Sequence, residues 1–142
     1  MPIVSRLSHV GFNVPRAIFQ EECDFWEKAI GLTLTHQNPG VNAFFTSDPL
    51  RDHEFILYAA DAPVPGYGDP SCMLNHVAFD VATDAEVDAF TERLRAMGFE
   101  VDEPERGRRQ NKVTSPAGIH FEINTPPYMN PRTPAVVEAA RR

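Results

Sequence analysis

Two stretches of this chain read almost alike: LSHVGFNV at 7–14 and LNHVAFDV at 74–81. Leu7/Leu74, His9/His76, Val10/Val77, Phe12/Phe79 and Val14/Val81 are identical, and the two histidines are 67 residues apart (76 − 9). Both octets alternate and are rich in Val and Phe, which is the signature of a half-buried strand. A strand written twice, with a histidine at the same place, marks a duplicated unit. Fixed pleating then puts both histidines on the same kind of face in each copy.

The segments after the two octets are also parallel. After the first, Pro15 suits a helix's first turn. Phe19, Cys23, Trp26 and Ile30 then form one helical face, and Gly31 ends it. After the second, Thr83-Asp84-Ala85-Glu86 reads as a capping box. Val87, Phe90, Leu94 and Met97 make the apolar stripe, closed by Gly98. Each half continues with three strand-like pieces: Leu32–His36, Val41–Thr46 and His53–Ala59, then Phe99–Asp102, Lys112–Thr114 and Ile119–Asn124. The expected fold is α+β: two βαβββ modules forming a half-open barrel around a metal cavity. The modules are expected at 5–60 and 72–124, joined by the turn-rich linker DAPVPGYGDPS (61–71). A proline-rich tail (125–142) completes a single domain.

Alternation assigns the faces. Val10, Phe12 and Val14 pack on one side, and so do Val77, Phe79 and Val81, and Ile119, Phe121 and Ile123. His9, His76, His120, Glu122 and Asn124 take the opposite side. Singly, such residues are usually solvated or hydrogen-bonded surface groups. Together, at equivalent places in a duplicated fold, His9, His76 and Glu122 read as metal ligands. Two neutral imidazoles and one carboxylate leave a divalent cation with net charge +1 and open coordination positions, an arrangement suited to Fe(II) and O2.

LSHVGFNV, FWEKAIGLTLT, LNHVAFDV, EVDAFTERLRAMGFEV and SPAGIHFEI resemble the vicinal oxygen chelate superfamily, which holds glyoxalases, extradiol dioxygenases, fosfomycin-resistance enzymes and bleomycin-binding proteins. The resemblance covers 5–124 and implies metal ligands on the first and last strands of each module. An offset of 67 places a fourth ligand position at Phe55, which cannot ligate, and takes His120 to His53. Three ligands resemble the type I extradiol dioxygenases and the fosfomycin-resistance enzymes. RDHEFILYA resembles the dioxygenase strand that carries an acid–base histidine, here His53. Imidazole is the side chain suited to proton transfer near neutral pH. The alternative role for His53 is to cap the strand start. His120 is a second catalytic candidate, or a group that orients a ligand. Phe55 is expected as an apolar cavity wall beside Leu57. Arg108, Arg109 and Lys112, with Arg106, are expected either to clamp an anionic substrate group or to form a solvated hairpin balanced by acids.

Two features depart from the dioxygenases. Lys112 stands where they carry a tyrosine, and EPERGRRQN (103–111) lacks their loop histidine. Against these departures, the three-ligand pattern and His53 are what make the resemblance imply an extradiol-type dioxygenase using Fe(II) and O2 on a small catechol-like substrate. The alternatives are a Mn(II)-dependent epoxide-opening or lyase enzyme, and an antibiotic-sequestering protein. Superfamily members often dimerise, so a homodimer is expected.

Composition narrows the partners. A net charge of −7 over 142 residues leaves no basic nucleic-acid footprint. No apolar run approaches the ~20 residues of a membrane helix. Cys23 and Cys72 have no metal-type spacing, and free thiols fit a cytoplasmic protein.

Overall fold

The structure is a computed structural model, and it describes residues 7–103 and 110–124. The expected tail at 125–142 lies outside the described residues. The fold is α+β, with two four-stranded sheets and a helical segment in each βαβββ module. The chain divides into two units. One runs to Cys72 and includes Ser115–Ile119; the other holds Met73–Thr114 and resumes at His120.

In the first unit, β1 (Val10–Pro15) leads through a 3-10 turn (Arg16–Ile18) into α1 (Phe19–Asp24), which widens into π-helical turns (Phe25–Ile30). β2 (Thr33–Asn38), β3 (Asn42–Thr46) and β4 (Phe55–Ala60) come next as an antiparallel meander. The meander returns β4 parallel to β1, giving the order β1-β4-β3-β2. The predicted helical face is buried: Phe19, Cys23, Trp26 and Ile30 are all in the core. Gly31 ends the helix with φ 88°, a left-handed value that glycine adopts without strain. Trp26 lies 4.4 Å from the Phe55 ring and meets Phe25 edge-on. Burying rings of this size contributes about 1.5–3 kcal/mol each.

In the second unit, β5 (Val77–Asp80) leads to α2 (Asp84–Ala96), then β6 (Val101–Asp102), β7 (Gln110–Thr114) and β8 (His120–Asn124), in the order β5-β8-β7-β6. The capping box is formed: Thr83 Oγ1 accepts from the Glu86 amide, and Glu86 accepts from the Thr83 amide. The buried stripe of α2 is Val87, Thr91 and Leu94. Phe90 is half-buried under Arg93, and Met97 is exposed. Thr91 takes an apolar residue's place because its hydroxyl is satisfied. It donates to the Val87 carbonyl and accepts from Asn111 Nδ2.

The pairing corrects one expectation. Val10 pairs with Phe55 in the first sheet, and Val77 pairs with Phe121 in the second. The offset is therefore 67 at the first strands but 66 at the last (121 − 55). The connection from Phe45 to Phe55 is two residues longer than its counterpart from Val113 to Phe121, and the register absorbs the difference. The equivalent of Glu122 is Ile56. Phe55 is not a cavity wall: it is buried on the helix-facing side against Phe12 and Trp26, and Leu57 shares that side.

Candidate functional site

In each module the histidine stands one residue before the first strand begins: His9 before β1, His76 before β5. Residues paired across a ladder share a face. In the first sheet Val10, Phe12, Phe45 and Phe55 form the core face, while Gly11, Phe44, Ile56 and Tyr58 form the other. His9 belongs with the second set.

His53 lies there too, although strict alternation from Phe55 would put it in the core. β4 begins only at Phe55, and the regular pairing reaches back no further than Glu54, whose backbone bonds to Val10 and Phe45, so the chain at 52–53 can turn the ring across. The His53 ring is 5.1 Å from His9 and 5.2 Å from Phe44. Its Nδ1 lies 2.7 Å from Asp52 Oδ2, and a carboxylate there can only accept. Nδ1 therefore carries the proton, and Nε2 keeps its lone pair when the ring is neutral. Asp52 and His53 line an open cavity of about 240 Å³ with Ser8, Leu50 and Arg51. Glu54, adjacent to the expected ligand position, is engaged with Ser47 and Arg51.

In the second sheet Glu122 is the centre. β8 is paired on both sides, to β5 and β7, and Glu122 is 3% exposed. A buried carboxylate must be paired with positive charge. Lys112, its ladder partner on β7, places Nζ 3.4 Å from Oε1. His76 places Nε2 3.6 Å from the same oxygen. Asn75 Oδ1, an acceptor, lies 2.7 Å from His76 Nδ1. Nδ1 is thus the donor, and a neutral His76 turns a lone pair towards a carboxylate oxygen. A protonated ring donates from Nε2 to the carboxylate, whereas a neutral one leaves two facing acceptors that a cation can bridge. This donor set fits a divalent metal: two donors on one ion, each about 2.1 Å from it, are about 3–3.5 Å apart.

His120 shares the Glu122 face and is buried, with Nδ1 3.0 Å from Thr114 Oγ1. Burial holds its pKa below the ordinary histidine value, and the nearby charges of Lys112 and His76 add to this. Asn124, the next residue on that face, is buried with an Oδ1 that has no hydrogen-bond partner among the described residues.

Of the expected site residues, the structure brings together His9 with His53, and His76 with Glu122, Lys112 and His120. Arg106, Arg108 and Arg109 lie outside the described residues. Among the described residues, no three His, Cys, Asp or Glu side chains are gathered closely enough to hold a metal ion. Sequence reasoning overlooked Asp52 and Asn75. The available signal was their place immediately before a candidate histidine.

A family model described as the Glyoxalase/Bleomycin resistance protein/Dioxygenase superfamily matches residues 6–123. Among solved structures, the chain is similar to a lactoylglutathione lyase from Agrobacterium tumefaciens. The TM-score is 0.67 at 17% identity, covering 91% of this chain and 99% of that one. It is also similar to the fosfomycin resistance protein FosX from Listeria monocytogenes, with TM-score 0.64, 22% identity, and 86% and 92% coverage. A FosX variant complexed with Mn(II) and 1S,2S-dihydroxypropylphosphonic acid matches with TM-score 0.66 at 19% identity, covering 86% and 93%. At these identities the likeness is one of fold. No curated protein sequence matches.

Proposed function

This chain belongs to the Glyoxalase/Bleomycin resistance protein/Dioxygenase superfamily, and from that premise we propose that it is a divalent-metal enzyme acting on a small substrate with two neighbouring oxygens. His9, His76 and Glu122 are the proposed ligands, and His53 moves the proton. The observation that carries the reading is the Glu122–His76 pair: His76 Nε2 lies 3.6 Å from Oε1 of the buried Glu122 carboxylate. A bound divalent cation supplies Lewis acidity there, with Fe(II) also able to engage O2.

The chain's own groups do the rest. Asp52 holds His53 by Nδ1 and stabilises the imidazolium formed when Nε2 takes a proton. His120, kept neutral, can steady the Glu122 side of the site. Lys112 offsets the carboxylate's charge and can turn to an anionic substrate group. With Fe(II), this set suits extradiol-type ring opening of a catechol-like diol by O2, in which a substrate hydroxyl must lose its proton.

A second reading, Mn(II)-dependent epoxide opening, is favoured by two observations. Lys112 stands at the Glu122 carboxylate, where the dioxygenases carry tyrosine, and FosX shares the fold.

The deciding experiment loads the protein anaerobically with Fe(II) or Mn(II). O2 uptake is measured with catechols and aminophenols, and diol formation with epoxides. Under either chemistry His53→Ala should lower turnover by about 10²–10⁴ with metal content unchanged. Full activity in His53→Ala would remove that residue from the mechanism. Unchanged metal stoichiometry in Glu122→Ala would remove the metal assignment.

A further inference from the structure

The residue immediately before each first-strand histidine touches that histidine's ring. Ser8 Oγ lies 3.2 Å from His9 Nδ1, and Asn75 Oδ1 lies 2.7 Å from His76 Nδ1. Ser8 and Asn75 are equivalent by the 67-residue offset, yet they differ in identity (LSHV against LNHV). The duplication has kept a short polar side chain with an oxygen in reach of Nδ1, and not a particular residue. The pattern recurs outside the repeat in Asp52 and His53.

We propose that Ser8 and Asn75 are positioning residues, each fixing the tautomer and direction of its neighbouring histidine so that Nε2 faces the metal. The inference rests on the proposed metal site. Asn75 makes the stronger case. An amide oxygen can only accept, so it dictates a proton on Nδ1 of His76. Without it, neutral imidazole can place its proton on Nε2 and donate to the Glu122 carboxylate 3.6 Å away, which occupies the lone pair a metal needs. A serine hydroxyl can donate or accept, so Ser8 fixes the His9 ring less strictly. The two modules are therefore unequal: His76 is preset and His9 adapts. Asn75 is exposed and outside the strand, so changing it leaves the core untouched.

The test uses the full chain without metal and then with Mn(II). Long-range 1H–15N spectra of the metal-free protein report which ring nitrogen of His76 carries the proton. Mn(II) titration gives the Kd. Asn75→Ala should move the His76 proton from Nδ1 to Nε2 and raise the Kd about 10–100-fold, with Tm unchanged. Asn75→Asp, which keeps the acceptor, should restore both. Ser8→Ala should have a smaller effect on the Kd. A His76 proton that stays on Nδ1 in Asn75→Ala overturns the proposal. So does an unchanged Kd in Asn75→Ala when His76→Ala has lost Mn(II). If His76→Ala binds Mn(II) as the wild type does, it is the metal reading that falls.

Discussion

Glu22 is the most buried carboxyl of the first unit, and none of its contacts is catalytic. Its oxygens accept from Trp26 Nε1 and from the Ala117 amide, each at 2.7 Å. The Ser115 hydroxyl also bonds to it. Burial raises its pKa above the ordinary 4.5, against the opposing effect of those hydrogen bonds. The fold therefore favours the protonated form. The stability this gives is fully present below the unfolded value and is lost as pH rises through the raised folded value. Urea midpoints of wild type and Glu22→Gln should diverge in favour of glutamine as pH rises above about 4.5. A constant difference would refute the assignment. Glu22→Ala, which strands the donors of Trp26, Ala117 and Ser115, should cost about 1–3 kcal/mol for each one that water cannot reach. The neighbouring Cys23 is 2% exposed, and burial beside Glu22 and Asp24 pushes its thiol up to about 12. A thiol reagent at neutral pH should modify Cys72 alone in the folded protein and both cysteines in denaturant. Reaction of Cys23 in the native state would contradict its burial.

Segment by segment, the elements were largely legible because each is locally determined. The capping box at Thr83, the buried face through Trp26 and the left-handed Gly31 depend on neighbours within a few residues, and all are present. The register of β4 was not legible. It depends on how many residues fill the turn before it, and one residue of slip exchanges the two faces. That slip moved Phe55 into the core and put Ile56 opposite Glu122 in the repeat. His53 reached the His9 side only because the chain is irregular before β4, which alternation cannot foresee. The Ser115–Ile119 turn, which delivers His120 and Glu122 into β8, was legible from Pro116 and Gly118 between the two strands. Gly118 in this turn has φ 91°, and a Cβ there would lie 2.9 Å from Gly66 Cα. Its carbonyl accepts from the Tyr67 amide. Gly118→Ala combines left-handed strain with a backbone clash and should cost about 1–3 kcal/mol, lowering the urea midpoint. An unchanged midpoint would show that the Gly66–Gly118 approach is not constrained.

For the whole chain, the duplicated octets together with FWEKAIGLTLT, EVDAFTERLRAMGFEV and SPAGIHFEI sufficed to place it in its superfamily, because they run in one order along both modules. The reaction was not legible at that scale. It depends on which group occupies each position around Glu122, and Lys112 is one such substitution. The proposed metal is where site and global stability would meet. Any ligand that binds only the folded state stabilises it, by about 2.7 kcal/mol at a hundredfold excess over Kd. For a chain of this length, that is a rise in Tm on the order of 10 °C. At the proposed site a dication next to Glu122 would also relieve Lys112 of its role as the carboxylate's counter-charge. Lys112→Met should therefore leave the metal-free protein less stable, with a buried carboxylate short of one cation, and should enlarge the Mn(II)-induced rise in Tm. Thermal melts of wild type, Lys112→Met and Glu122→Ala, with Mn(II) and after chelation, separate the effects. The rise should be present in wild type, larger in Lys112→Met and absent in Glu122→Ala. An equal rise in all three would place the cation away from Glu122.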